Sequence, residues 1–259
     1  MPIEQAAVIG DVHGQLDLLS DLLEEIDSRL PQGSPIYQLG DMIDRGPQSN
    51  GVIQLCIHRK VKGVRGNHEE WLRRFCTTHK VDPFALHPAM RGDATLASYG
   101  ATSLNYNREL QASLPKSHRE HLKALPMFRI IHVGGKTFYL SHAGFTTDLV
   151  VKVPGYARLS AHDLCEAVSQ GDTDAMLWTS PDLSSPNLYQ FPEGGTQIFG
   201  HTPQRAPRFG DGWVAMDTGC GTCTPFSLSA ILLPSMETLT VNHLSLKGVA
   251  EGGFTDFNM

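Results

Sequence analysis

The chain has 259 residues, 41% of them hydrophobic and 19% charged, which is ordinary globular composition with enough apolar material for a sizeable core. A formal net charge of -6 lacks the basic footprint of a dedicated nucleic-acid binder, so small or protein-borne substrates are expected rather than DNA. No charged leader with an apolar core opens the sequence and no apolar stretch is long enough to span a bilayer, so the expectation is a cytoplasmic protein without membrane attachment.

In chain order, the apolar run 6–9 stops at Gly10, and Leu16, Leu19, Leu23, Ile26 and Leu30 then recur at helical spacing. This predicts strand, loop, helix. The run 36–39 ends at Gly40 in the same way, and Val52, Ile53, Cys56 and Ile57 predict a second helix after Gly46 and Pro47. A third short strand is predicted to end near Val64. A βαβα opening favours parallel strands whose functional loops lie at their carboxyl ends. The stretch 77–126 has scattered His, Pro and Asn with weak periodicity and reads as short helices and loops over the scaffold, a candidate substrate lid. Runs 128–133 and 136–140, split by Gly134 and Gly135, predict a β-hairpin. Further strand-like runs at 197–199, 213–216, 226–233 and 238–241 make the second half β-rich. Two packed sheets flanked by helices in one α/β domain, 1–259, fit this pattern better than one open sheet.

The five cysteines are odd in number and irregularly spaced, and Cys220 and Cys223 form a lone Cys-x-x-Cys without a second pair; ordinary thiols are expected. Chemistry concentrates instead at strand ends. Asp11 and His13 follow the first strand, close enough together for one ion to take both. Asp41 follows the second strand, within Gly40-Asp41-Met42-Ile43-Asp44-Arg45-Gly46. Asn67, His68 and Glu69 follow Gly66 and lead into a predicted helix at 70–75, which a bare Asn-His-Glu could simply cap. His142 stands after the hairpin and His201 after the run 197–199. Singly, each is more often a turn, cap or satisfied core residue. Five strand-end loops presenting Asp/His, Asp, Asn/His, His and His in succession are not what turns and caps require. Together they offer carboxylate, imidazole and amide ligands for two divalent ions, with Asp41 suited to bridge.

The motifs Gly10-Asp11-Val12-His13-Gly14, Gly40-Asp41 through Arg45-Gly46, Gly66-Asn67-His68-Glu69, Ser141-His142-Ala143-Gly144 and Gly200-His201-Thr202 resemble those of the calcineurin-like metallophosphoesterases. Within them they are most similar to the phosphoprotein phosphatase branch, particularly its small bacterial and phage members. The resemblance spans residues 8–219. It implies a four-layer sandwich of two mixed sheets between helices. It also implies one metal held by Asp11, His13 and Asp41 and a second by Asp41, Asn67, His142 and His201, with manganese, iron or zinc as the ions. A bridging hydroxide would then attack phosphorus in line. By the same resemblance, His68 protonates the leaving oxygen, Asp44 orients and charges His68, and Arg45, with Asn67 and His68, contacts phosphate.

One departure stands out. The phosphoprotein phosphatases usually place a second phosphate-binding arginine shortly after a tryptophan between the last two histidine motifs. Here Trp178 is followed by Thr179, Ser180 and Pro181, and Arg158 is the single arginine in that interval. The expected activity is hydrolysis of phosphomonoesters, on phosphorylated Ser, Thr or Tyr of proteins or on small esters. The alternative is symmetrical hydrolysis of dinucleoside polyphosphates, whose enzymes tend to replace the acid at Asp44 and to carry Asp where this chain has Glu69. A reading from another class is an inactive interaction module on the same fold.

Overall fold

The computed structural model describes residues 2–222 and 225–242. Strand β1 (Ala6–Ile9) leads through the Asp11 loop into α1 (Leu16–Arg29), whose buried Leu18, Leu19, Leu22, Leu23 and Ile26 form one apolar stripe. Each fully buried Leu there contributes about 1.5–3 kcal/mol, so Leu22→Ala alone would cost about 2–5 kcal/mol. The chain continues through β2 (Ile36–Gln38), α2 (Ser49–His58), β3 (Lys62–Gly63) and α3 (Asn67–Thr78). The predicted helix at 70–75 therefore begins earlier, with Asn67 and His68 in its first turn. The stretch 77–126 folds as a 3-10 turn (Pro83–Leu86), α4 (Gly92–Ser98), α5 (Tyr106–Ser113) and α6 (Lys116–Ala124).

The hairpin is formed by β4 (Phe128–Val133) and β5 (Lys136–Ser141). Helices α7 (Thr147–Val150), α8 (Ala161–Gly171) and α9 (Thr173–Trp178) follow, in a stretch for which the sequence offered no prediction. Then come β6 (Thr196–Phe199), β7 (Arg208–Gly210), β8 (Trp213–Ala215), β9 (Ser227–Leu233) and β10 (Glu237–Asn242). The unpredicted β7 has three exposed residues and no apolar signature.

Two mixed sheets result, ordered β10-β9-β1-β2-β3 and β4-β5-β6-β8-β7. In the first, β1, β2 and β3 run parallel and β9 is antiparallel to both β1 and β10. In the second, β5, β6 and β8 run parallel, with antiparallel β4 and β7 at the edges. The period-two alternation of strand side chains assigns the layers. Ala6 and Val8 pack with Phe138, Leu140, Ile198, Val214 and Ile231 between the sheets. Ala7 and Ile9 instead join the stripe of α1 and apolar residues of α2 to α6. On the far side, Tyr139 packs with Phe145, Leu164, Val168 and Met176 from the region of α7 to α9. β1 is buried on both faces, which explains its uninterrupted apolar run.

Among the described residues no helix is long and apolar enough to cross a membrane. Cys56, Cys76, Cys165 and Cys220 are free and buried; Cys223, the other half of the Cys-x-x-Cys, lies outside the described residues.

Candidate metal centre

The loops leaving β1, β2, β3, β5 and β6 converge at the strand ends, and their backbone is strained there. Of nine non-glycine residues with positive φ among the described residues, five are candidate site residues: His13, Asp41, Asp44, Arg45 and His201. Such conformations cost of order 1–3 kcal/mol each and persist only where surroundings enforce them. The close approach of the loops also demands Gly66 and Gly200, because a Cβ at either would collide with Asp41 or Asp11 respectively.

One clamp is Glu69. Its carboxylate accepts the backbone N–H groups of Asp41 and Met42, both at 2.7 Å, and of Gly66 at 2.9 Å. The last bond caps α3, as its sequence allowed, while the first two tie the Asp41 loop to that helix. Gln38 works similarly, its amide bridging the N–H and carbonyl of Gly40. Asp41 Oδ1 in turn accepts the His68 N–H at 3.1 Å.

Two donor groups meet at Asp41. The Nε2 atoms of His13 and His68 stand 3.6 and 3.7 Å from Asp41 Oδ2, and Nε2 of His142 stands 3.4 Å from Oδ1. The backbone carbonyls of Ile43 and Leu39 accept from Nδ1 of His13 and His142, both at 2.9 Å, and a carbonyl can only accept. This fixes the neutral tautomer, so both Nε2 lone pairs point into the site. His142 Nε2 then faces Asn67 Oδ1 at 2.8 Å and His201 Nδ1 at 3.1 Å, and the latter two are 3.1 Å apart. In the tautomer that leaves His201 Nδ1 bare, three lone pairs face one another and repel unless a cation takes them. Donors at right angles around a divalent ion at about 2.1 Å would stand about 3.0 Å apart, so this triplet has the right chemistry and spacing.

The other group differs from the expected set. The compact triplet is His13, Asp41 and His68, whereas both Asp11 oxygens accept the backbone N–H of His201, at 3.1 and 3.3 Å. Arg45 Nη1 reaches His13 Nε2 at 2.6 Å and Thr222 Oγ1 at 2.9 Å, so its guanidinium lies directly over this half of the site. His68 Nδ1 lies 2.7 Å from Asp44 Oδ2, which also accepts Trp71 Nε1–H at 2.9 Å; Thr95 Oγ1 donates to Asp44 Oδ1 at 2.6 Å.

Ionisation follows from burial and neighbouring charge. Burial works to raise the Asp41 carboxyl, but the imidazoles of His142, His68, His13 and His201 overrule it and hold it well below the usual carboxylate range. Burial, then the His68 ring, pushes His13 well below the ordinary histidine value. Burial likewise lowers His142, and burial followed by His142 pushes His201 down to about 4. These rings are therefore neutral donors at physiological pH. His68 is the exception: burial works to lower it, but the charge of Asp41 and the bond and charge of Asp44 raise it.

Asp217 joins the site without having been among the sequence candidates. It is buried, its Oδ1 accepts the Gly219 N–H at 2.9 Å, and burial and the charge of Asp41 raise it to about 6 against that bond. Its charge in turn helps raise Asp11 well above the usual range, after burial itself. An acid directly after the run 213–216 carries the same strand-end signal as Asp11 and Asp41. Trp71 and Thr95, which tether Asp44, had no signal beyond helix periodicity. Arg158 is exposed in a 3-10 turn (Tyr156–Arg158). Arg91, in contrast, comes alongside the site, its carbonyl accepting the Arg45 N–H at 3.2 Å.

Residues 5–205 match the calcineurin-like phosphoesterase family. The chain is 28% identical over 265 residues to the asymmetrical bis(5'-nucleosyl)-tetraphosphatase PrpE of Oceanobacillus iheyensis, covering 97% of each chain. It is similar to a solved structure named only as a candidate diadenosine tetraphosphatase, with a TM-score of 0.59, 21% identity and coverage of 93% and 96% of the two chains. It is also similar to a mutant cold-active protein tyrosine phosphatase, with a TM-score of 0.54, 19% identity and coverage of 92% and 77%. At those identities the two structures establish the fold alone.

Proposed function

The chain belongs to the calcineurin-like phosphoesterases, and on that premise we propose that it is a divalent-metal-dependent hydrolase of dinucleoside polyphosphates that cuts a tetraphosphate asymmetrically, into nucleoside triphosphate and monophosphate. The observation carrying this reading is end-to-end similarity to a protein named for that activity, over 97% of both chains. It replaces phosphoprotein hydrolysis as the leading reading, and the asymmetrical mode replaces the symmetrical one held as the alternative, which the retained Asp44 and Glu69 already disfavoured.

Asp11, His13 and Asp41 would hold one ion and Asp41, Asn67, His142 and His201 the other, with Asp41 shared and manganese the ion for assay. Bound there, the ions supply a nucleophilic water of lowered pKa and neutralise phosphoryl oxygens. The side chains do the rest. Arg45, already held over His13, offers a planar fork to phosphate oxygens and orients the chain of phosphates. Asn67 and His68 present polar atoms to the same oxygens. His68 keeps Nδ1–H on Asp44 and turns Nε2 toward Asp41 Oδ2, the position from which it can hand a proton to a leaving oxygen.

A second reading has its own support. The 2.7 Å bond between His68 and Asp44 suits protonation of a poor leaving group, which an alkoxide is and a nucleotide phosphate is not. That favours phosphomonoesters, including phosphorylated side chains. The deciding experiment incubates the protein with diadenosine tetraphosphate and manganese, with a chelator-treated control, and resolves products by anion exchange. ATP plus AMP supports the proposal, ADP alone indicates symmetrical cleavage, and turnover of phosphopeptides without turnover of the dinucleotide transfers the lead to the second reading.

A further inference from the structure

Beside the donor cluster, and sharing Asn67 with it, lies a cavity of about 220 Å³ with Trp71 and Met90 in its wall and Phe84 and Trp178 in its lining. Five large apolar side chains are exposed among the described residues, and Phe84 and Trp178 are two of them, at 49% and 42%. They come from distant parts of the sequence, one from the 3-10 turn of the predicted lid and one from the end of α9. They nevertheless meet, with ring centroids 5.7 Å apart at 62°. Trp178 stands over His201, 6.1 Å away at 89°, so the aromatic pair begins one ring from the phosphate-processing centre. Neither ring completes the core, and an exposed aromatic pair at the mouth of a polar site provides a stacking surface.

We propose that this cavity is a nucleobase subsite, receiving one purine of a nucleoside polyphosphate whose phosphates lie over Asp41; the inference rests on the dinucleoside polyphosphate reading and specifies where that substrate gains its specificity. Size and rim chemistry both support it. A cavity of about 150 Å³ accommodates one benzene ring, so the space here suits a bicyclic base but not a folded peptide segment. A purine edge carries an amino donor and ring-nitrogen acceptors. The rim supplies both complements: the carboxylates of Asp82 and Asp174 and the guanidinium of Arg74, which is half exposed and 3.5 Å from Asp174. The phenolic ring of a phosphotyrosine, the competing occupant, has no edge groups to use this mixed rim.

The test compares adenosine 5'-monophosphate with ribose 5-phosphate, its base-free counterpart, as ligands of the manganese-loaded protein. Binding is read by tryptophan fluorescence and by inhibition of p-nitrophenyl phosphate hydrolysis. The nucleotide should bind about tenfold or more tightly in the parent, the range expected for one stacked base. Phe84→Ala should bring the two ligands within about threefold of each other, and Phe84→Tyr should restore the gap. Phe84 is a surface residue, and unchanged thermal melting of both variants certifies the comparison. Equal affinity in the parent, or a gap unaffected by Phe84→Ala, overturns the subsite. A Phe84→Ala loss confined to phosphotyrosine peptides overturns it also, in favour of an aromatic side chain. Failure of the parent to hydrolyse diadenosine tetraphosphate would instead remove the hydrolase reading, while the nucleotide to ribose phosphate ratio still decides the subsite.

Discussion

Replacing Asp44 by Asn separates the charge of that side chain from its shape. The carboxylate accepts from His68 Nδ1 at 2.7 Å, Trp71 Nε1 at 2.9 Å and Thr95 Oγ1 at 2.6 Å. An asparagine oxygen in the Oδ2 position keeps the first two bonds, and the amide nitrogen turns a donor toward a hydroxyl that can accept. What disappears is charge assistance, since bonds to an ionised partner contribute ~1.5–3 kcal/mol against ~0.5–1.5 for neutral ones. Over the two retained bonds stability should fall by about 2 kcal/mol, about 4–8 °C in Tm for a chain of this size. Turnover should suffer more, and selectively. Burial works to lower the His68 pKa, and Asp41 and then Asp44 raise it, so Asp44→Asn lowers it. A proton donor must be protonated; the activity it supports is full at low pH and lost as pH rises through its pKa, so in the variant that loss should come at lower pH. On an alkyl phosphate kcat should fall by about 10²–10⁴, whereas p-nitrophenyl phosphate, whose leaving group is stable as an anion, should lose roughly tenfold or less. Paired pH–rate profiles with manganese, on both substrates and both proteins, make the measurement. Equal losses on the two substrates, or a basic limb that stays in place, would refute the role of His68 as donor through Asp44.

Chelator-stripped protein should be inactive and recover with added divalent metal, because neutral water is too weak a nucleophile without a cation. By elemental analysis, Asp41→Asn should lose both ions and His13→Ala chiefly one; equal metal content in Asp41→Asn and the parent would exclude a shared ligand. Glu69→Ala leaves three backbone N–H groups without their partner, a cost on the order of 3–9 kcal/mol that approaches the whole stability of a typical domain. It should not accumulate as folded protein, and a variant melting within a few degrees of the parent would show that the clamp is dispensable. His121 has a buried Nε2 without a partner, and burial, then His118, pushes its pKa down to about 4 from 6.5. A depressed folded-state pKa gives stability that is full above 6.5 and lost as pH falls through 4, up to about 3 kcal/mol. His121→Leu should therefore lose less Tm between pH 7 and 4 than the parent, and parallel acid losses would contradict the assignment.

The strand-end residues were legible because two constraints coincide in the sequence: an apolar run buried on both faces, then a glycine-flanked polar group that burial alone does not call for. Asp11, His13, Asp41, His142 and His201 lie just beyond such runs, whereas Asn67 follows the two-residue β3 with its exposed Lys62 and is marked by Gly66 alone; the loops converge on one site. Asp217 follows one as well, but a single acid before Thr218 and Gly219 is equally what a turn presents. Glu69 was visible as a helix cap; its hold on Asp41 was not, because that contact joins loops 28 residues apart. The departure of Asp11 from the compact triplet depends on where the Gly200 backbone passes, which no local pattern encodes. Helices α8 and α9 went unremarked, although Leu164, Cys165 and Val168 carry helical spacing, because Gly and Pro punctuate the surrounding sequence.

The substrate was the least legible feature, and Asp44 explains why. Its presence suggested a phosphomonoesterase on the ground that only a poor leaving group needs a charged His68. Yet Asp44 is also the hub of a buried network in which its carboxylate receives Trp71 and Thr95, and its own N–H is received by Thr95 at 2.9 Å and Ser49 at 3.1 Å. This ties the Asp44 loop to α2, α3 and α4, a contribution to folding that exists whatever ester is cleaved. That network alone accounts for retention of Asp44, so its presence does not exclude a nucleotide phosphate as the leaving group. Groups outside the core are better guides. Phe84 and Trp178 remain half exposed at the mouth of the centre, and nothing in core packing requires an aromatic at either position. Substrate choice is thus to be sought in the 77–126 segment and the end of α9, outside the motifs that define the family.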